Sequence, residues 1–243
     1  MILLLSGEGP TDIGSCVATT DECEGKEFRA GPMALMIDRL VEPIWGYSPL
    51  EAMAFMYVSE RLIASRSKRI QAMALPGSRK AIGTIYFFKN ARALARMAME
   101  RTAPHSPVGA VFFRDSDGTC AAGNSLWQDK WDSILQGFEA ENFLFGVPMV
   151  PKPKSEAWLL CAVQQNPYDH CSRFEDISGN DASPNPAKKQ LNEFLAAREM
   201  QLADLCDMIR NGRIQPAQIV MPSYDRFRAR LEEVARGMAG IQA

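Results

Sequence analysis

The 243-residue chain carries 27 lysines and arginines against 29 aspartates and glutamates, a formal net charge of −2 at pH 7. That balance excludes a bulk attraction to polyanions, so a nucleic-acid contact must come from a local basic surface or through metal ions. With 47% hydrophobic and 23% charged residues, the composition excludes a chain dominated by disorder, and the length suffices for one elaborated domain with a real core.

The chain begins MILLLSGEGPTDIG. Ile2 to Leu5 form a continuous apolar run, which predicts a strand buried on both faces. Ser6-Gly7-Glu8-Gly9-Pro10 ends it, and the flanking glycines hold Glu8 in a tight turn at the strand's carboxyl edge. In an open α/β sheet that edge is where ligands bind; a surface turn that happens to contain a glutamate is the alternative. The opening run is too short and lacks the basic flank of a signal peptide, and no apolar stretch reaches the length of a membrane span, so the expected location is the cytoplasm, with no membrane partner. Residues 15 to 32 read as a loop, followed by a helix from Met33 to Val41. Ser48-Pro49-Leu50-Glu51 has the pattern of a helix start, and Leu50, Met53, Ala54, Tyr57 and Leu62 follow at helical spacing, predicting a helix that ends around Ser65 to Lys68. The basic tract RLIASRSKR, 61 to 69, reads as a solvated helix end or as a track for a phosphate backbone.

Asn90 to Arg101 predicts a further helix. Val108 to Phe113, VGAVFF, repeats the plan of the first strand: an apolar run followed at once by Arg114-Asp115-Ser116-Asp117-Gly118. Asn124 or Ser125 would cap a helix with Trp127, Trp131, Ile134, Leu135 and Phe138 on its buried stripe. Residues 142 to 150 make a third strand-like segment, stopped by Pro-Lys-Pro-Lys, and Ser155-Glu156-Ala157-Trp158 starts the next helix. Residues 166 to 187 read as a mobile loop. Helices follow at about 187 to 197 and 199 to 210, and Ser223 would cap a last one bearing Tyr224, Phe227, Leu231, Val234 and Met238 on one face. Strands separated by helices predict a mostly parallel sheet flanked on both faces.

Asp115 and Asp117 stand two apart, so in extended backbone both side chains point the same way. Carboxylates held close repel one another unless a cation neutralises them. Magnesium or manganese suits this task, since a hard ion takes oxygen ligands from one or two carboxylates and leaves room for water and substrate phosphates. If the strands that end at Leu5 and Phe113 are neighbours, Glu8 joins the aspartates at one crevice. Glu156 reads either as a first-turn glutamate favoured by the helix dipole or as a ligand of a second ion; Asp12 reads either as a cap or as part of the same site. Six cysteines, at 16, 23, 120, 161, 171 and 206, include no C-x2-C pair, and His105 and His170 are the only histidines. This speaks against a zinc site and for buried or incidental thiols; Cys161, His170 and Cys171 are the one grouping that could meet at a metal or as a nucleophile.

S-G-E-G-P-T-D after the first strand and R-D-S-D-G-T after a later one resemble the acidic motifs of the TOPRIM fold, shared by topoisomerases, primases, recombination proteins and nucleases of the overcoming-lysogenization-defect type. The chain is more particularly similar to small bacterial stand-alone TOPRIM-like proteins in which a motif like Pro153-Lys154-Ser155-Glu156-Ala157-Trp158-Leu159-Leu160 follows the D-x-D strand. The resemblance implies a Rossmann-like, TOPRIM-type α/β core over residues 1 to 160, with a helical insertion at about 33 to 101 that accounts for the long gap between the motifs, and a loop with C-terminal helices over 161 to 243. It also implies that Asp115 and Asp117 bind Mg2+ or Mn2+, that Glu8 helps bind the ion or handles a proton, and that nucleic acid is the partner. The function expected is a metal-dependent phosphodiesterase or nuclease acting on DNA or RNA, with Glu8, Asp115, Asp117 and Glu156 catalytic and Lys152, Lys154 and Lys188 touching substrate phosphates, in a bacterial defence or toxin-like system. The alternatives are a non-catalytic or partner-activated interaction module of such a system and a small-molecule phosphohydrolase; the missing phosphate-loop pattern speaks against a P-loop nucleotidase.

Overall fold

A computed structural model describes residues 1–70, 84–116 and 123–240, with the side chains of 123–125 excepted. The apolar N-terminal run forms β1 (Ile2–Gly7), buried from Leu3 to Gly7 or nearly so. It is central because both of its edges are taken in parallel: by β5 (Phe55–Ser59) on one side and by β6 (Val108–Phe113) on the other. Gly7 lies opposite Ser59 and Phe113, so these three strands end level. The next strand outward from β6 is β7 (Gly146–Met149), also parallel, while β3 (Glu22–Glu24) closes the β5 side antiparallel. Among the described residues the order is β3-β5-β1-β6-β7. The sheet is thus mostly parallel and α/β, as the alternation of strand and helix patterns predicts.

Helices flank the sheet. The first, α1 (Pro32–Trp45), packs against α7 (Leu202–Arg210) and α8 (Pro222–Met238); α3 (Ile85–Arg101) packs against α2 (Glu60–Ser67) and α4 (Gly123–Glu139). The predicted stripe on the last helix is buried, with Tyr224, Phe227 and Leu231 at 0% exposure. Trp158, on α5 (Ser155–Val163), stacks on Phe227 at 5.5 Å and meets Tyr224 edge-on at 4.9 Å, which ties the C-terminal helix to the helix that starts at the site. No helix of the described residues is long and apolar enough to cross a membrane.

Four sequence expectations are corrected. Residues 15 to 32 are not a plain loop: β2 (Gly14–Cys16) and β4 (Phe28–Ala30) pair antiparallel, and β3 joins the main sheet. The single helix over 50 to 68 is instead a turn, the strand β5 and then α2. Ser48 does accept from the Glu51 N–H at 3.1 Å, as its motif predicts, but Met53 enters the left-handed region at φ 55° and the chain turns into Phe-Met-Tyr-Val-Ser. Aromatic and branched residues suit a strand, and the open edge of β1 decides the matter over helical spacing. Buried Asp38 holds this turn by accepting from the Ser48 hydroxyl and the Leu50 N–H, each at 2.8 Å. Ser223 is in the first turn of α8, behind Met221 at the cap position; its N–H is taken by Glu175 at 2.6 Å and its hydroxyl accepts from the Trp158 indole at 2.9 Å. The cap assigned to Asn124 or Ser125 lies outside the described side chains.

The thiols are the fourth correction. Cys16–Cys23 and Cys161–Cys171 are disulfides, and among the described cysteines Cys206 is free. Separations of 7 and 10 residues carry no local pairing signal; the first pair meets because β2 and β3 are consecutive short strands, the second because a turn folds the chain back on α5. With Cys161 and Cys171 bonded to each other, neither is a thiol nucleophile, and His170 points outward at 85% side-chain exposure beside Asp169.

Candidate acidic site at the carboxyl edge of the sheet

The level ends of β5, β1 and β6 put the residues that follow them at one edge: Glu60, Glu8 and Arg114-Asp115. Two glycines shape the turn. A Cβ on Gly7 would sit 2.3 Å from the Phe113 carbonyl oxygen, so only glycine lets the ends of β1 and β6 approach this closely; Gly9 has φ 76°, a backbone that side chains resist. The Asp115 N–H then donates to Glu8 Oε1 at 3.0 Å, and the Arg114 guanidinium pairs with Glu8 Oε2 at 3.1 Å.

The third wall of the site is the start of α5. Its Ser155 is fully buried and makes two bonds to different acids: its N–H donates to Asp115 Oδ1 at 2.9 Å and its hydroxyl to Asp12 Oδ1 at 2.6 Å. Asp12 comes from a π-helical turn, Gly9–Ile13, directly after Glu8. Glu156 adjoins them, with Oε2 3.5 Å from the Ser155 hydroxyl. Four carboxyl groups, Glu8, Asp12, Asp115 and Glu156, thus surround the junction of three segments far apart in the chain.

Electrostatics mark this cluster. Burial pushes the Asp115 carboxyl well above its ordinary range, and the charges of Glu156, Asp12 and Glu8 push it further against the single opposing bond from Ser155. Asp12 is raised by burial against the Ser155 and Thr11 bonds and the pull of Lys188 and Lys154. Glu156 is raised by burial and by Asp12, against its own N–H and the same two lysines. Negative charge at this edge is therefore under-compensated by the protein itself.

A second, cationic layer borders Glu8. Arg114 reaches Glu8 with one nitrogen and Glu60 with the other, and that second nitrogen also lies 2.9 Å from the Tyr86 hydroxyl, which itself donates to Glu60. The guanidinium carbon lies 4.5 Å from the Tyr86 ring centre. Burial and the bond to Glu60 push the Tyr86 phenol far up, so it stays a donor.

Of the site residues predicted, Glu8, Asp115 and Glu156 come together, and Asp117 lies outside the described residues. Lys188 acts on Asp12 and Glu156 through its charge; Lys154 does the same while pairing with Asp181 at 3.0 Å, and Lys152 stands 3.9 Å from Glu175. In the basic tract, Arg61 pairs with Asp21 and Arg66 with Glu100, the solvated-helix reading. Among the described residues no group of three His, Cys, Asp or Glu side chains is gathered so as to hold a metal ion. Sequence reasoning missed Ser155, Arg114, Glu60 and Tyr86. Arg114 stood beside the D-x-D motif and offered a signal; Glu60 gave none, because the strand that ends before it was read as helix, and Tyr86, in the first turn of α3, lay ahead of the helix predicted from Asn90. Comparison with protein-family models, curated proteins and solved structures found no match.

Proposed function

We propose that the chain is a divalent-metal-dependent phosphodiesterase of TOPRIM-like type that acts on DNA or RNA with Mg2+ or Mn2+. The observation that carries the reading is the convergence of Glu8, Asp12, Asp115 and Glu156 on one sheet edge, with the last three raised by burial and mutual repulsion. The donor set fits a hard ion: every donor is an oxygen, and the excess negative charge is what a cation relieves. Beyond these acids, the remaining ligands would be Asp117, water or a substrate phosphate, as magnesium commonly takes.

When bound, such an ion polarises a phosphoryl oxygen and lowers the pKa of an attacking water. Asp115, fixed by the Ser155 N–H, is the ligand we assign with Asp117. Glu8, anchored through Oε1 by the Asp115 N–H, either completes the ligand set or accepts the proton of the water. Glu156 and Asp12 assist at the far wall, and Lys154 and Lys188 draw the substrate phosphate toward the acids. Bacterial defence is the setting that the resemblance implies. A partner-activated form of the same site is the second reading, favoured by Glu8 having both carboxylate oxygens engaged by the protein itself.

The test is cleavage of single- and double-stranded DNA and RNA with Mn2+, Mg2+ or chelator, by wild type and Asp115→Asn. Metal-dependent cleavage that is lost in the variant is expected. Cleavage in chelator, or wild-type rates from the variant, ends the reading.

A further inference from the structure

Arg114 stands where a bound cation would compete with it. Its guanidinium holds Glu8 Oε2 at 3.1 Å while its other nitrogen is bound by Glu60 and Tyr86. Arginine cannot shed its charge in a protein, so a divalent ion arriving at Glu8 brings two positive charges against a fixed one. The guanidinium must leave Glu8, and whether it can do so at low cost depends on what else receives it. Here the alternative acceptor is already in place: Glu60 is oriented by the Tyr86 hydroxyl, and the Tyr86 ring lies 4.5 Å from the guanidinium carbon, within range of a cation–π contact. All three groups are half-buried, with Arg114, Glu8 and Glu60 side chains 27%, 24% and 33% exposed, so their charges are only partly screened.

Resting on the metal-site reading above, we propose that Arg114 is the counter-ion of Glu8 in the metal-free protein and passes to Glu60 and Tyr86 when Glu8 takes up the ion, so that the Glu60–Tyr86 pair sets the metal affinity of a site it does not touch. Glu60 and Tyr86 are positioning residues: they act on the ion through Arg114. A negative charge at Glu60 also attracts a cation at long range, without any help from Arg114. The two routes separate in a double-mutant cycle.

The measurement is Mn2+ binding to the full-length protein by calorimetry, with wild type, Glu60→Gln, Arg114→Gln and the double variant. Glu60→Gln is expected to weaken binding about 5-fold or more, because Glu8 is then the one carboxylate left to Arg114 in this group and holds it harder. Arg114→Gln is expected to bind at least as tightly as wild type, and in that background Glu60→Gln should change affinity less than about 2-fold. Tyr86→Phe, which removes one hydroxyl and keeps the ring, is expected to weaken binding in the same direction by less. If wild type binds Mn2+ but Arg114→Gln weakens binding, or Glu60→Gln costs the same in both backgrounds, the relay is wrong and the metal site stands. If wild type binds no Mn2+, the metal site fails and the relay with it.

Discussion

The N–H of Ser155 donates to Asp115 and its hydroxyl donates to Asp12, at 2.9 and 2.6 Å, so one buried serine joins the acid after β6 to the acid after β1. Without it, two half-buried carboxyls at this edge would face each other with no shared donor. Ser155→Ala therefore leaves a half-buried Asp12 oxygen without this donor, a loss of about 1 kcal/mol. Urea unfolding of the metal-free protein checks this: the midpoint should fall with the slope unchanged. An unchanged midpoint would mean that water reaches Asp12 and replaces the hydroxyl.

Asp115, Asp12 and Glu156 all bind a proton more tightly in the folded chain than in the unfolded one. Their contribution is full below the ordinary carboxyl range, near about pH 4, and is lost as pH rises through their raised values. In chelator, Asp115→Asn should melt with wild type near pH 4 and above it at pH 7, by about 2–4 °C for about 1 kcal/mol of relieved repulsion. Parallel melting curves across that window would show that Asp115 is not charged against its neighbours.

Gly7→Ala places a Cβ 2.3 Å from the Phe113 carbonyl oxygen and 2.8 Å from the Phe113 Cβ, where β1 and β6 end together. Backbone cannot step aside as a flexible side chain can, so the strand ends must splay. A stability loss of about 1–3 kcal/mol is expected, together with faster amide exchange at Asp115, whose N–H is held by Glu8. Amide exchange at Asp115 equal to that of wild type would place the adjustment elsewhere.

Intact mass of the protein, unfolded without reductant, should rise by four hydrogens on reduction, two for each disulfide. Replacing Cys161 and Cys171 by serine removes the covalent constraint on the turn behind α5 and should cost about 2–3 kcal/mol, read by denaturant unfolding. Such bonds persist in oxidising surroundings and are rare in a reducing cytosol, so the same mass measured on protein trapped from cells with acid reports the compartment.

Local pattern alone determined much of this protein. Uninterrupted apolar runs at Ile2 to Leu5 and Val108 to Phe113 have nowhere to go but the interior of a parallel sheet, and the acids behind them must then stand at its edge. The buried stripes of α4 and α8 and the start of α5 at Ser155 follow from spacing in the same way. Tertiary structure decided what spacing cannot weigh. Phe55 to Ser59 is a strand because β1 offers an unpaired edge, and that choice alone brings Glu60 level with Glu8. Asp12 is part of the acidic cluster because Ser155, 143 positions away, donates to it. Four cysteines are bonded because chain reversals bring them together. In each case the deciding partner is distant in sequence, and the free energy that selects it, a shared hydrogen bond or a satisfied strand edge, exists only once both segments are in place.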